Sequence, residues 1–342
     1  MFARAAESDE AILAVLEKAI LYPIDCEKGE GIEVAKRYNV RGYPTFKVVN
    51  GSGEELECFI GYDGPEKWVA SVEAGVNDQR TLVEKAKAYE TEPTLALARS
   101  LATAAGTKYE FKEAVEYYKT AREMEPNPML AAEYTEGILT SMFYGTRMGQ
   151  FEFADVDAEA TMVMENPMAP VDAKMGVASM VIYLAKSTDN VDKAIPYLEA
   201  AMKVSEGSTD EAVIEQRKGM AVDYALLVEK DKDKAVEAKR ASMDEGWQED
   251  PGALNEFAWW CYENDVNLEE AEEMALKGIE LAETDGERAN ILDTAAEICN
   301  ALGNCDEAIA KIKQAIELNP ENEYFQEQLA RFEKIAAENK QG

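Results

Sequence analysis

The spacing of apolar residues in the first part of the chain predicts short mixed elements. Ser8 can accept hydrogen bonds from exposed N–H groups, and the apolar residues of 12–16 follow at helical spacing, so a helix is predicted to start at Ser8-Asp9-Glu10 with Ser8 as its cap. The apolar run 20–25 predicts a buried strand. Residues 31–38 then predict a second helix.

A β-hairpin is predicted next. Residues 45–49 and 55–60 have strand character, and the turn residues of 50–53 separate them. Pro65 suits the first turn of a helix that carries Trp68 on its apolar face. The first 76 residues therefore predict a small α/β segment.

From residue 77 onwards the pattern is helical and repeats itself. Small residues recur after each predicted hairpin turn, at intervals that subtraction of their numbers puts between 36 and 41 residues. These marker alanines are Ala114, Ala154, Ala194, Ala235, Ala271 and Ala308. A small residue at such a point lets two helices approach closely, so the pattern predicts about six helical hairpins, followed by a capping helix over 321–337.

The last unit carries a family resemblance. Ala295–Cys299, Leu302-Gly303, Asp306–Ile309 and Asn319-Pro320 are similar to a tetratricopeptide repeat. The resemblance implies an α-solenoid over 77–342, in which stacked hairpins offer a groove to peptides or helices of partner proteins.

Within that frame, the ninth position of each first helix is expected to face the groove. Four consecutive repeats carry an aromatic residue there, namely Phe143, Tyr183, Tyr224 and Trp260. Such rings would anchor an apolar or basic peptide. The alternative is that the long repeats shift the frame and place these rings in the core.

The segment 1–76 resembles the latter part of the thioredoxin family. The run Ala35–Phe46, with Ile24-Asp25 before it and Gly61-Tyr62 after it, carries the similarity. The resemblance implies that Pro44 is a cis-proline and that the backbone of Tyr43 pairs with an extended substrate segment. The alternative is that Pro44 only shapes a turn.

Two parts of that family's fold are missing from the sequence. It has no Cys-x-x-Cys pair, and the central strand that the family places between 20–25 and 45–49 is absent. Three explanations stay open. In the first, the start is truncated; in the second, the two strands pair directly; in the third, another chain fills the gap, with self-association through unpaired edges. Translation upstream of Met1 tests the first explanation, and truncation is the one we favour.

Composition narrows the function further. The chain has no histidine, which excludes Ser-His-Asp and Cys-His catalysis and His-liganded metal sites. Its net charge of −33 disfavours nucleic acid and anionic membranes as partners. We therefore predict no catalytic residue, no metal and no cofactor in the chain as given.

Two functional hypotheses result. The first is a protein-interaction scaffold with a non-catalytic thioredoxin-like segment. The second is a thiol-disulfide oxidoreductase in redox homeostasis, whose dithiol lies upstream of Met1 and whose repeats recruit substrate proteins. The location is expected to be the cytosol if Met1 is the true start, and an exported or periplasmic one if the start is truncated.

Overall fold

The N-terminal segment forms a two-stranded hairpin with short helices around it. The computed structural model describes residues 2–339 of the protein. Its first elements are α1 Phe2–Ser8, α2 Glu10–Leu16, α3 Gly31–Arg37, β1 Thr45–Val49, β2 Glu55–Ile60 and α4 Pro65–Asn77. The predictions for α3, β1, β2 and the helix that begins at Pro65 are confirmed.

A helix does begin at the predicted Ser8-Asp9-Glu10, since α2 starts at Glu10, but the predicted cap at Ser8 is wrong. Ser8 is the last residue of α1, and its hydroxyl donates to the carbonyl of Arg4. Asp9 is the N-cap of α2, because its backbone is extended and its carboxylate accepts from the N–H groups of Ala11 and Ile12. An ionised carboxylate at this position also interacts favourably with the helix dipole.

The predicted buried strand over 20–25 is also wrong. The segment has no strand structure, and Ile20 and Tyr22 are 97% and 79% exposed. Within residues 2–339 the sheet consists of β1 and β2, which pair antiparallel with Thr45 opposite Ile60. The direct pairing considered above therefore does not occur, and this apolar run lies at the surface without regular secondary structure.

The β-hairpin contacts helices on both sides. One side packs with Ile12, Trp68 and Val72 from α2 and α4. On the other side, Cys58 of β2 packs with Leu82 and Ala104, which belong to the two helices that follow α4. The two-stranded hairpin is thus held by helices rather than by a larger sheet.

The remaining regular elements of the described chain are helices. They are α5 Leu82–Thr91, α6 Leu95–Thr107, α7 Phe111–Met124, α8 Pro128–Arg147, α9 Phe153–Glu165, α10 Val171–Ser187, α11 Ile195–Val204, α12 Glu211–Asp223, α13 Lys232–Ser242, α14 Pro251–Glu263, α15 Leu268–Leu281, α16 Asp285–Ala301, α17 Cys305–Leu318 and α18 Glu323–Asn339. Short 3₁₀ turns cover Val191–Ala194 and Trp247–Glu249, and a π-helical turn covers Tyr224–Glu229.

The fourth residue of each second helix is the point of close helix approach. Ala114, Ala235, Ala271 and Ala308 occupy it and are fully buried, and Ala194 is buried at the end of a 3₁₀ turn. The marker Ala154 is a misassignment. It is exposed, and the fourth residue of α9 is the fully buried Val156.

The fold is mostly α and belongs to the helical-repeat, or α-solenoid, class. Consecutive helices pack as hairpins, for example α6 with α7, α14 with α15 and α16 with α17. The chain divides into two compact units, one with residues 1–169 and 183–189, the other with 170–182 and 190–342. Among residues 2–339, no helix combines the length and apolar character that a membrane crossing requires.

Candidate protein-binding surfaces

An aromatic cluster lies on the first helices of the N-terminal unit. Phe143 of α8 is half-buried and Tyr183 of α10 is 48% exposed, with their ring centroids 5.5 Å apart. The guanidinium of Arg147 lies over both rings, at 6.0 Å from Phe143 and 5.8 Å from Tyr183. Tyr144 contacts Phe143 edge-on. We call Phe143, Arg147 and Tyr183 the aromatic–arginine cluster.

The other two predicted anchors lie in the C-terminal unit. Tyr224 is half-buried in the π-helical turn. Trp260 of α14 is half-buried and packs against the core formed by α14, α15 and α16, with its ring 6.4 Å from that of Phe257. Trp260 therefore contributes partly to the core, and its role as an anchor stays a prediction.

A polar cluster that the sequence pattern did not indicate lies on α14, α16 and α18. Glu297 is 4% exposed and accepts from the hydroxyl of Tyr262, at 2.9 Å, and from the guanidinium of Arg331. Asp293, one helical turn earlier, is 8% exposed and interacts with the hydroxyl of Tyr324. We call these five residues the Asp293 cluster.

The electrostatics of this cluster are unbalanced. Burial and the neighbouring Glu297 raise the pKa of Asp293 from its ordinary 3.8 to about 6, although Arg331 and Tyr324 act in the opposite direction. Burial and the hydrogen bond to Glu297 raise the pKa of Tyr262 to about 12. Within the described part of the chain, Oδ1 of Asp293 is a buried acceptor without a hydrogen-bond partner.

The predicted peptide-contact residues Tyr43 and Pro44 lie on an exposed loop. The bond between them is cis, and Tyr43 is 60% exposed. The carbonyl of Pro44 accepts from the N–H of Gly61 at 2.9 Å, which ties the loop to the end of β2. Tyr109 also holds the loop, because its hydroxyl donates to the carbonyl of Arg41 at 3.3 Å. No other predicted site residue is among these contacts.

A buried ion pair joins the β-hairpin to the first helices. The Lys85 ammonium on α5 is 1% exposed and donates to the carboxylate of Glu57 on β2 and, at 2.7 Å, to the carbonyl of Leu56. Ser100 on α6 donates to the same carboxylate at 2.7 Å. Since both charges have several partners, this ion pair holds the hairpin to the helices and is not a reactive centre.

The buried thiols are poorly suited to nucleophilic chemistry. Cys58 accepts from the Lys47 ammonium at 3.2 Å, but burial outweighs this contact and raises its pKa. Burial also raises the pKa values of Cys261 and Cys299 to about 12. At neutral pH these three groups are therefore thiols rather than thiolates.

Among residues 2–339, one group of possible metal ligands occurs, and it lies in the C-terminal unit. Glu272, Cys299 and Glu307 bring their ligand atoms within 4.8 Å of one another. The Cys299 thiol donates to the Glu272 carboxylate at 3.0 Å. The Cys299 thiol thus gives the Glu272 carboxylate one hydrogen-bond donor.

Comparison with solved structures shows distant similarity to a helical-repeat protein. The chain is similar to a tetratricopeptide repeat protein from Parabacteroides merdae ATCC 43184, with 17% sequence identity, a TM-score of 0.43, and coverage of 78% of this chain and 95% of that chain. No protein-family model and no curated protein matches the chain. The side chains described above therefore carry the functional proposal.

Proposed function

We propose that the protein is an interaction scaffold, which binds segments of partner proteins on the first helices of its hairpins. The observation that carries this proposal is the aromatic–arginine cluster. Phe143 and Tyr183 contact each other across neighbouring first helices, yet neither ring is buried in the core. Half-exposed rings held in fixed positions are typical anchors for a partner's apolar side chains.

The surface charge selects among partners. A net charge of −33 favours basic segments and disfavours phosphate-rich ones, so the partner is a protein or peptide with apolar and basic residues. The Arg147 guanidinium already lies over both rings, which shows that a cation can stack at this position. A partner's lysine or arginine could therefore flank the same rings.

The thioredoxin-like segment serves in this proposal as a non-catalytic cap on the repeats. It contains no Cys-x-x-Cys, and Lys85 and Ser100 fix its hairpin to α5 and α6. The exposed Tyr43 and Pro44 are available as a second contact for an extended peptide. Nothing among the described thiols favours the oxidoreductase hypothesis over this role.

The test is selection from a randomised peptide library displayed on phage, with the full chain as the target. The variant Phe143→Ala/Tyr183→Ala is the matched counter-target, and Tyr22→Ala, which removes an exposed tyrosine elsewhere in the same unit, is the control. The expected result is enrichment of peptides with apolar and basic residues on the wild type and on Tyr22→Ala only. Equal enrichment on the double variant would contradict the proposed surface, and no enrichment on any protein would contradict the function.

A further inference from the structure

The Asp293 cluster has more negatively charged groups than positively charged ones. It contains two buried carboxylates and one guanidinium, and that guanidinium is bound to Glu297. Oδ1 of Asp293 has no hydrogen-bond partner among residues 2–339 and is nine-tenths buried with its residue. An unpartnered buried acceptor costs free energy that a bound donor would recover.

The side chain that interacts with Asp293 is partly exposed. Tyr324, in the first turn of α18, is 44% exposed and is the side chain whose hydroxyl interacts with Asp293. The binding proposed below therefore requires Tyr324 to rotate towards solvent, while Phe325 and Phe332 hold α18 in the core. Glu297 and Arg331 pair with each other.

Aromatic side chains also belong to the surroundings of Glu297, the other carboxylate of the cluster. Tyr262 contacts Glu297 through its hydroxyl, and its ring lies 5.2 Å from that of Trp259 on the same helix. Rings beside a carboxylate suit a cation, because the faces of aromatic rings attract positive charge. A compact ammonium fits a single acceptor better than a guanidinium, which favours two parallel acceptors and is already represented by Arg331.

We propose that the Asp293 cluster binds the side-chain ammonium group of a lysine on a partner's peptide segment, with Asp293 as the charged acceptor. This inference rests on the proposed scaffold function and assigns it one specificity-determining site. Asp293, Glu297, Arg331, Tyr262 and Tyr324 are the titratable groups of the cluster, so the cluster carries net negative charge when Asp293 is ionised.

The first test uses n-butylammonium chloride, which imitates the end of a lysine side chain, on the full chain at pH 7.5. The carboxyl ¹³C resonance of Asp293 is identified by its absence in Asp293→Asn. The expected result is a saturable shift that sodium chloride at equal ionic strength does not produce. A shift that is linear, or the same with both salts, would overturn the proposal. This test does not depend on any peptide being found.

The second test uses a peptide selected on the wild type and its counterpart with norleucine in place of lysine. Asp293→Asn is expected to lower the affinity for the lysine peptide by about tenfold, because one charge-assisted hydrogen bond is lost. The affinity for the norleucine peptide should fall by less than about twofold. Glu327→Gln, an exposed charge change on α18, is the control and should affect neither. Selected peptides that bind without a lysine preference would overturn this inference and leave the scaffold function intact.

Discussion

The raised pKa of Asp293 makes stability depend on pH. Because the folded state holds this proton more tightly than the unfolded chain, stability falls as pH rises from about 4 to about 6 and stays lower above that. The shift from 3.8 to about 6 corresponds to at most about 3 kcal/mol. Asp293→Asn should therefore be more stable than the wild type at pH 7.5, by about 1–3 kcal/mol, and by only about a third of that difference at pH 4.5.

Urea unfolding at the two pH values measures this difference, with Glu327→Gln as the exposed control. A variant that is less stable than the wild type at pH 7.5 would show that Asp293 makes a net stabilising contact. Functional residues often carry such a cost in stability, and the predicted gain from asparagine is consistent with a binding role.

The Lys85–Glu57 pair predicts a large effect from a single change. Lys85→Met removes the cation and leaves the Glu57 carboxylate buried beside only the Ser100 hydroxyl, so the expected loss of unfolding free energy is about 3–5 kcal/mol. Lys87→Met, on the exposed face of the same helix, should change it by less than about 0.5 kcal/mol. Urea unfolding followed by circular dichroism makes the comparison, and equal effects would mean that the pair is not desolvated in solution.

At the scale of elements, the repeat frame has its own test. Ala114 is fully buried at the fourth position of α7, whereas Ala154 is exposed at the second position of α9. Ala114→Leu should therefore destabilise the protein by about 1–3 kcal/mol through overpacking, and Ala154→Leu by less than about 0.5 kcal/mol. Thermal unfolding of both variants checks this. A large loss of stability in Ala154→Leu would support the repeat frame expected from the sequence, in which Ala154 is the point of close helix approach.

Local chemistry explains which elements the sequence predicts correctly. The turn at 50–53 and Pro65 specify their own backbone geometry, so β1, β2 and the start of α4 follow from a few residues. The strand over 20–25 fails because a strand requires a partner, and apolar character alone does not supply one. The alanine marker is misplaced at Ala154 because Val156, a larger residue, occupies the position of close helix approach in that irregular repeat.

For the whole molecule, periodicity is sufficient to predict the fold class but not the sites. Small residues recurring every 36 to 41 positions indicate stacked hairpins, and the helices of the described chain confirm a mostly α repeat fold. The Asp293 cluster joins residues from positions 262 to 331, and no local pattern relates them. The Lys85–Glu57 ion pair likewise connects residues 28 positions apart.

The most direct measurement of the scaffold function is the dissociation constant of a selected peptide, by fluorescence anisotropy, with wild type, Tyr183→Ala and Tyr22→Ala. Truncation of an anchoring ring at a binding surface typically costs about 2 kcal/mol or more, so Tyr183→Ala should weaken binding by about thirtyfold. Tyr22→Ala, which removes a ring that is 79% exposed, should leave it within about twofold of the wild type. Equal affinities for all three proteins would contradict the account.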